Sequence, residues 1–152
     1  MSETERIQDQ VERAYAGNAW HGPSLRDLVS DISAARAATS PKVGSHSIWQ
    51  IVLHILAWQH VVFRRMAGET IHNLPPEQDW PVVSDTSDAA WKHALAQLEG
   101  IHKQLCEAIA KFPEARLSEK VPGHRYPFYG MLHGVIQHNL YHAGQIAILK
   151  KG

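Results

Sequence analysis

Residues 91–112 read WKHALAQLEGIHKQLCEAIAKF. Trp91, Ala94, Leu95, Leu98, Ile101, Leu105, Ile109 and Phe112 recur with the three- and four-residue period of one helical face. Pro113 removes the next backbone donor and stops the helix. A stripe this long must be buried against other elements, and the flanking sequence supplies three more helices.

Upstream, Ser47-x-x-Gln50 is a capping box, and Ile48, Trp49, Ile51, Val52, Leu53, Ile55, Leu56, Val61, Val62, Phe63 and Met66 follow it. Such a helix is apolar nearly all round, so it is expected to be buried nearly all round, ending near Gly68. A second capping box, Ser2-x-x-Glu5, opens a first amphipathic helix carrying Ile7, Val11, Ala14 and Tyr15, which Gly17 and Asn18 end. Downstream, Pro127 suits the first turn of a last helix running to Lys150, with Leu132, Val135, Ile136, Leu140, Ile146 and Leu149 along it.

The connections are long. Asn18 to Ser45 reads as a crossing with one short helix, Ser24 to about Thr39. Gly68 to Ser84, with Pro75, Pro76 and Pro81, reads as an extended loop whose Trp80 needs a groove to cover. Residues 114–126 form a third connection. No strand alternates and no repeat is visible, so the expected fold is all-α: one domain over 1–152, a four-helix bundle with long crossover connections whose helix directions stay open.

Composition excludes several classes of function. The chain has 152 residues, 15 basic against 15 acidic, and no basic block, which removes the electrostatic footprint of a nucleic-acid binder. No apolar run approaches a membrane span, and MSETERIQDQ is polar where a signal peptide is apolar, so a cytoplasmic protein is expected. Five tryptophans and a nearly all-apolar second long helix are a heavy apolar load for this length, and a homodimer is expected on that ground.

Histidine is the skewed residue, with 11 copies. His138 and His142 lie four apart on the last helix, about 40° apart around its axis, so both rings can reach one ion. His54 stands between Leu53 and Ile55 in the most apolar helix, where an unpaired imidazole costs a few kcal/mol. A core hydrogen bond to a tyrosine or carbonyl would satisfy it alone, but one cation shared by all three histidines explains the set more economically. His60 and His133 face elsewhere, roughly 120° and 140° around their helices from His54 and His138. His93 and His102 sit beside the third long helix's stripe; His21, His46, His72 and His124 fall in loops, and a loop bearing His46 could fold over the site. Three nitrogen ligands leave an open position for water or substrate. Cys106 is a conceivable fourth ligand, although a lone cysteine in an apolar stripe is more often a core residue. Haem is a weaker alternative.

SIWQIVLHILAWQ (47–59) and HGVIQHNLYHAGQIAILKK (133–151) resemble the two signature stretches of the DinB-like (DinB/YfiT) superfamily; WHGPSL, the Asp79-Trp80-Pro81 loop and the Trp91 helix fit as well. The resemblance implies a four-helix bundle holding one divalent ion, zinc or nickel, through positions that here are His54, His138 and His142. It further implies a small-molecule substrate and, as in characterised relatives, a low-molecular-weight thiol as cosubstrate, for a metal-dependent transferase or hydrolase. A non-catalytic metal-binding bundle with a stabilising, sensing or storage role is the alternative. Tyr141, Gln145 and Trp58 are candidate supporting groups with equally good packing roles. Gly130, Gly134 and Gly144 read as sites of close helix contact.

Overall fold

The computed structural model describes all 152 residues, Met1–Gly152. Four long helices dominate: α1 (Glu3–Ala16), α4 (Ile48–Met66), α6 (Asp88–Lys111) and α7 (Phe128–Lys150). Both expected capping boxes form, Ser2 with Glu5 and Ser47 with Gln50, each side chain bonding the other's backbone N–H. Only His60 and Arg64 of α4 are exposed, as its composition requires. No helix is long and apolar enough to cross a membrane.

The connections differ from expectation in two places. The single helix expected over 24–39 is two one-turn helices, α2 (Leu25–Val29) and α3 (Ala34–Ala38). Between them the Ile32 carbonyl accepts the Trp91 indole N–H at 2.9 Å, and Ser33 caps α3. That tertiary bond and the new cap win over helix continuation. The 68–84 crossing contains a one-turn helix, α5 (Pro76–Asp79), started by a proline at its first position. A 3-10 helix, Glu114–Ser118, and a bridge between Lys120 and Pro127 shape the last connection.

Helix contacts join α4 to α6 and α7, and α1 to α6 and α7, so α1 lies diagonally across the bundle from α4. Two apolar clusters fix the directions. One gathers Tyr15, Ile48, Ile55, Trp91, Leu98 and Ile146; the other gathers Ile7, Val62, Ile109, Phe128 and Leu132. The N-terminal halves of α4 and α6 thus meet the C-terminal ends of α1 and α7. The order is up, down, down, up, with α4 parallel to α6. A parallel neighbour cannot be reached by a tight turn, which is why residues 67–87 return the full length of the bundle. Buried polar side chains sit between the clusters: Gln59 and Asn139, each 1% exposed, and His54, His102 and His142.

Candidate metal centre

His54 lies mid-way along α4, and His138 and His142 one turn apart on α7, across the α4–α7 contact. Their Nε2 atoms converge: His138 Nε2 is 3.1 Å from His54 Nε2 and 3.2 Å from His142 Nε2. Nitrogens bound tetrahedrally at about 2.0–2.1 Å from one ion stand about 3.3 Å apart, so these two pairs lie within tenths of an ångström of that spacing, and all three ligand atoms lie within 4.8 Å of one another.

The protons make the case stronger. His54 Nδ1 lies 2.8 Å from the Asp79 carbonyl and 3.0 Å from its carboxylate. It must therefore carry a proton, leaving a lone pair on Nε2. His142 Nδ1 lies 2.7 Å from Gln145 Oε1 and is protonated for the same reason. Both Nε2 lone pairs point at His138 Nε2, which has one proton at most and can answer only one of them. His138 Nδ1 is buried without a partner, so neither tautomer of that ring satisfies both nitrogens. A cation meets all three lone pairs, and this donor set fits a divalent ion of zinc or nickel type. Burial, then the neighbouring His142 and His54, push the His138 pKa down to about 4. Burial lowers that of His142 as well. Both rings are therefore neutral, as ligands must be, at ordinary pH.

The residues around the triad come from the long crossing. α5 ends at Asp79, which accepts the Trp58 indole N–H at 2.7 Å as well as holding His54. Trp80 stacks on His54, and His46 stacks on the other face of Trp80 at 3.6 Å. The groove that Trp80 needs is thus lined by two histidines, and the His46 loop does fold over the site. The Asp79-Trp80-Pro81 loop is part of the resemblance, but the role of Asp79 as the partner of His54 is not read from it, because that role depends on where α5 delivers the residue. Gln145 orients His142, whereas Tyr141 is exposed and meets His142 edge-on at 5.0 Å.

The other expectations sort by position. His60 is exposed, and His133 reaches toward Glu3 at 4.0 Å; neither joins the triad. Cys106 joins Glu12 and His102 on the α1–α6 side, and so is no fourth ligand of the triad. Its sulfur stands 3.7 and 3.9 Å from the two ring nitrogens of His102, alongside the ring and not on one lone pair. His102 bonds Glu12 at 2.9 Å and stacks on Tyr15, and burial pushes the Cys106 thiol up to about 12. That group reads as a satisfied core. The glycines of α7 also differ from expectation. A Cβ at Gly134 or Gly144 would meet nothing within 4 Å, and one at Gly130 only the Pro127 ring at 3.8 Å, so they do not mediate close helix contact.

Two clefts flank the triad. One, of about 350 Å³, runs between α4 and α7 and reaches His138; the other, of about 490 Å³, is lined by His46, Trp80, Tyr141, His142 and Gln145.

The family model of the DinB superfamily matches residues 19–146. The chain belongs to the DinB superfamily. The match includes α4, the crossing that carries Asp79 and Trp80, and α7 up to Ile146, so every residue of the histidine cluster in this DinB-superfamily chain falls inside it. No curated protein and no solved structure matches the chain.

Proposed function

We propose that His54, His138 and His142 bind one zinc or nickel ion and that the protein is a metal-dependent enzyme, a thiol-dependent transferase or a hydrolase. One observation carries this reading: three nitrogen lone pairs converge without a fourth protein ligand, between two clefts. A bound ion supplies a Lewis acid that brings the pKa of a coordinated thiol or water toward neutrality. The chain's own groups do the rest. Asp79 and Gln145 fix the His54 and His142 tautomers, so Nε2 faces the ion. Trp58 holds the Asp79 carboxylate in place, and Trp80 covers the open ring face of His54 and excludes water from it. The His142 cleft, with polar Gln145 and Ser45, suits a polar thiol cosubstrate; the more apolar His138 cleft suits the small-molecule electrophile.

Elemental analysis of untagged protein, followed by a screen of electrophiles against several low-molecular-weight thiols, tests the reading. A native ion with thiol-dependent turnover supports it. A native ion with no turnover in any combination favours a non-catalytic metal-binding bundle. The homodimer draws support from exposed Trp20, Tyr129, Tyr141 and Ile148, although Trp49 and Trp91 are taken up in the chain's own core. Light scattering at micromolar concentration decides it.

A further inference from the structure

Arg65 is the one arginine buried in the core, 4% exposed, and no carboxylate lies within 4.0 Å of it. Arg13, Arg26, Arg64 and Arg116 each have an acidic partner at the surface. Arg65 instead gives Nε and Nη2 to the Ile71 and His72 carbonyls, and one Nη1 proton to the Tyr126 hydroxyl at 3.0 Å. These bonds pin the chain beyond α4. They satisfy four of the five N–H groups and neutralise none of the charge. The Trp58 ring, 5.8 Å from the guanidinium carbon, offers the cation a π face, but no counter-charge balances it, and an anion would.

Arg65 lines the cleft that reaches His138. On the α4 wall Trp58, Val62 and Arg65 follow one another at helical spacing; on the α7 wall Gly130, Gly134 and His138 do the same. The two glycines leave open the volume that side chains would fill. The α7 wall is about 12 Å long at 1.5 Å per residue. No acidic residue lines the cleft, and Arg65 is its only permanent charge. The Tyr126 oxygen accepts from Arg65, so its own O–H remains available as a donor, and both residues line the cleft.

We propose that this cleft binds a small molecule with an elongated apolar body and a carboxylate head. The head sits on Arg65 and Tyr126, the body lies over Gly130 and Gly134, and the far end reaches the face of His138 toward the triad. The proposal rests on the metal-dependent reading only for what happens at that far end; carboxylate recognition is a property of the chain itself.

Octanoate and octan-1-ol, which share one tail, are the probes. Each is titrated calorimetrically into the full-length protein, zinc-loaded and chelator-treated. Octanoate is expected to bind at least about tenfold more tightly than octan-1-ol in both forms, the size of a charge-assisted hydrogen bond. Arg65→Met is expected to bring octanoate down to the octan-1-ol level. Gly134→Leu, which favours helix and fills the cleft, is expected to abolish binding of both probes with no loss of melting temperature. If Arg65→Met does not fold, Tyr126→Phe carries the head-group test and is expected to weaken octanoate severalfold and leave octan-1-ol unchanged. Equal affinity for the two probes overturns the proposal, as does an octanoate affinity indifferent to both head-group variants. Octanoate binding confined to the zinc-loaded form also overturns it, because the head would then sit on the ion. Failure of the triad to hold zinc would leave the chelated titration intact, so the two readings fail separately.

Discussion

The indole of Trp80 lies flat on the imidazole of His54, ring centroids 3.9 Å apart and planes within 5°. A residue of the crossing therefore holds a core-helix histidine in the orientation that an ion requires. Stacked aromatic pairs contribute about 0.5–1.5 kcal/mol beyond burial. Trp80→Ala is expected to weaken zinc binding by about two- to tenfold, read by competition with a chromophoric chelator. An unchanged affinity would make the stack a packing contact only.

Asp79 gives His54 two acceptors, one of which survives side-chain truncation. The carboxylate leaves in Asp79→Ala, but the backbone carbonyl at 2.8 Å still fixes the tautomer. The loss in metal affinity is expected near the lower end of the ten- to hundredfold range typical of such supports. The same titration checks it, and a hundredfold loss would show that the carboxylate is the operative partner.

Alanine at His54, His138 or His142 is expected to remove the bound ion from purified protein, whereas alanine at His60 or His133 is expected to leave one ion per chain. Elemental analysis of the five variants is the measurement. Retention of a full equivalent in any triad variant contradicts the shared site.

Chelation is expected to lower the melting temperature without unfolding the bundle, because both apolar clusters are complete without the triad. An ion at a hundredfold excess over its Kd contributes about 2.7 kcal/mol, or about 5–10 °C in a chain of this length. Circular dichroism with and without chelator checks this, and loss of the helical signal would make the ion structural.

Acid is expected to destabilise the chelated protein over a defined window. In the folded state burial holds His138 near 4 and lowers His142 and His102, whereas unfolded histidines titrate near 6.5. The unfolded chain therefore binds more protons below 6.5, and the stability present above that pH is lost as pH falls toward 4. Between pH 7.5 and 5.0 His138 alone accounts for about 2 kcal/mol of it. Urea midpoints at pH 7.5 and 5.0 measure the effect; an equal or higher midpoint at pH 5.0 would contradict it.

The long helices and the His138–His142 pair are legible in the sequence because they rest on periodicity: the Trp91 stripe, two capping boxes, and a four-residue histidine spacing that survives any packing; His54 is legible from its place in the most apolar helix and from the family resemblance. What escaped depends on contacts between distant segments. The helix expected over 24–39 breaks where Trp91, far along the chain, takes the Ile32 carbonyl. Asp79 reaches His54 directly from the crossing, whose path follows from helix direction. Gly130 and Gly134 read as sites of close helix contact, yet the space facing them is open, and the burial of Arg65 at the end of α4 has no signature in the sequence pattern.

The parallel run of α4 and α6 also bears on how the chain reaches this structure. Ile55 and Leu98 belong to one cluster although roughly forty positions separate them in sequence. Each such meeting requires a long loop to close before any burial rewards it. The protein should consequently fold more slowly than a bundle of equal size whose successive helices are antiparallel neighbours, and the histidines of α4 and α7 should come together only when that closure is complete.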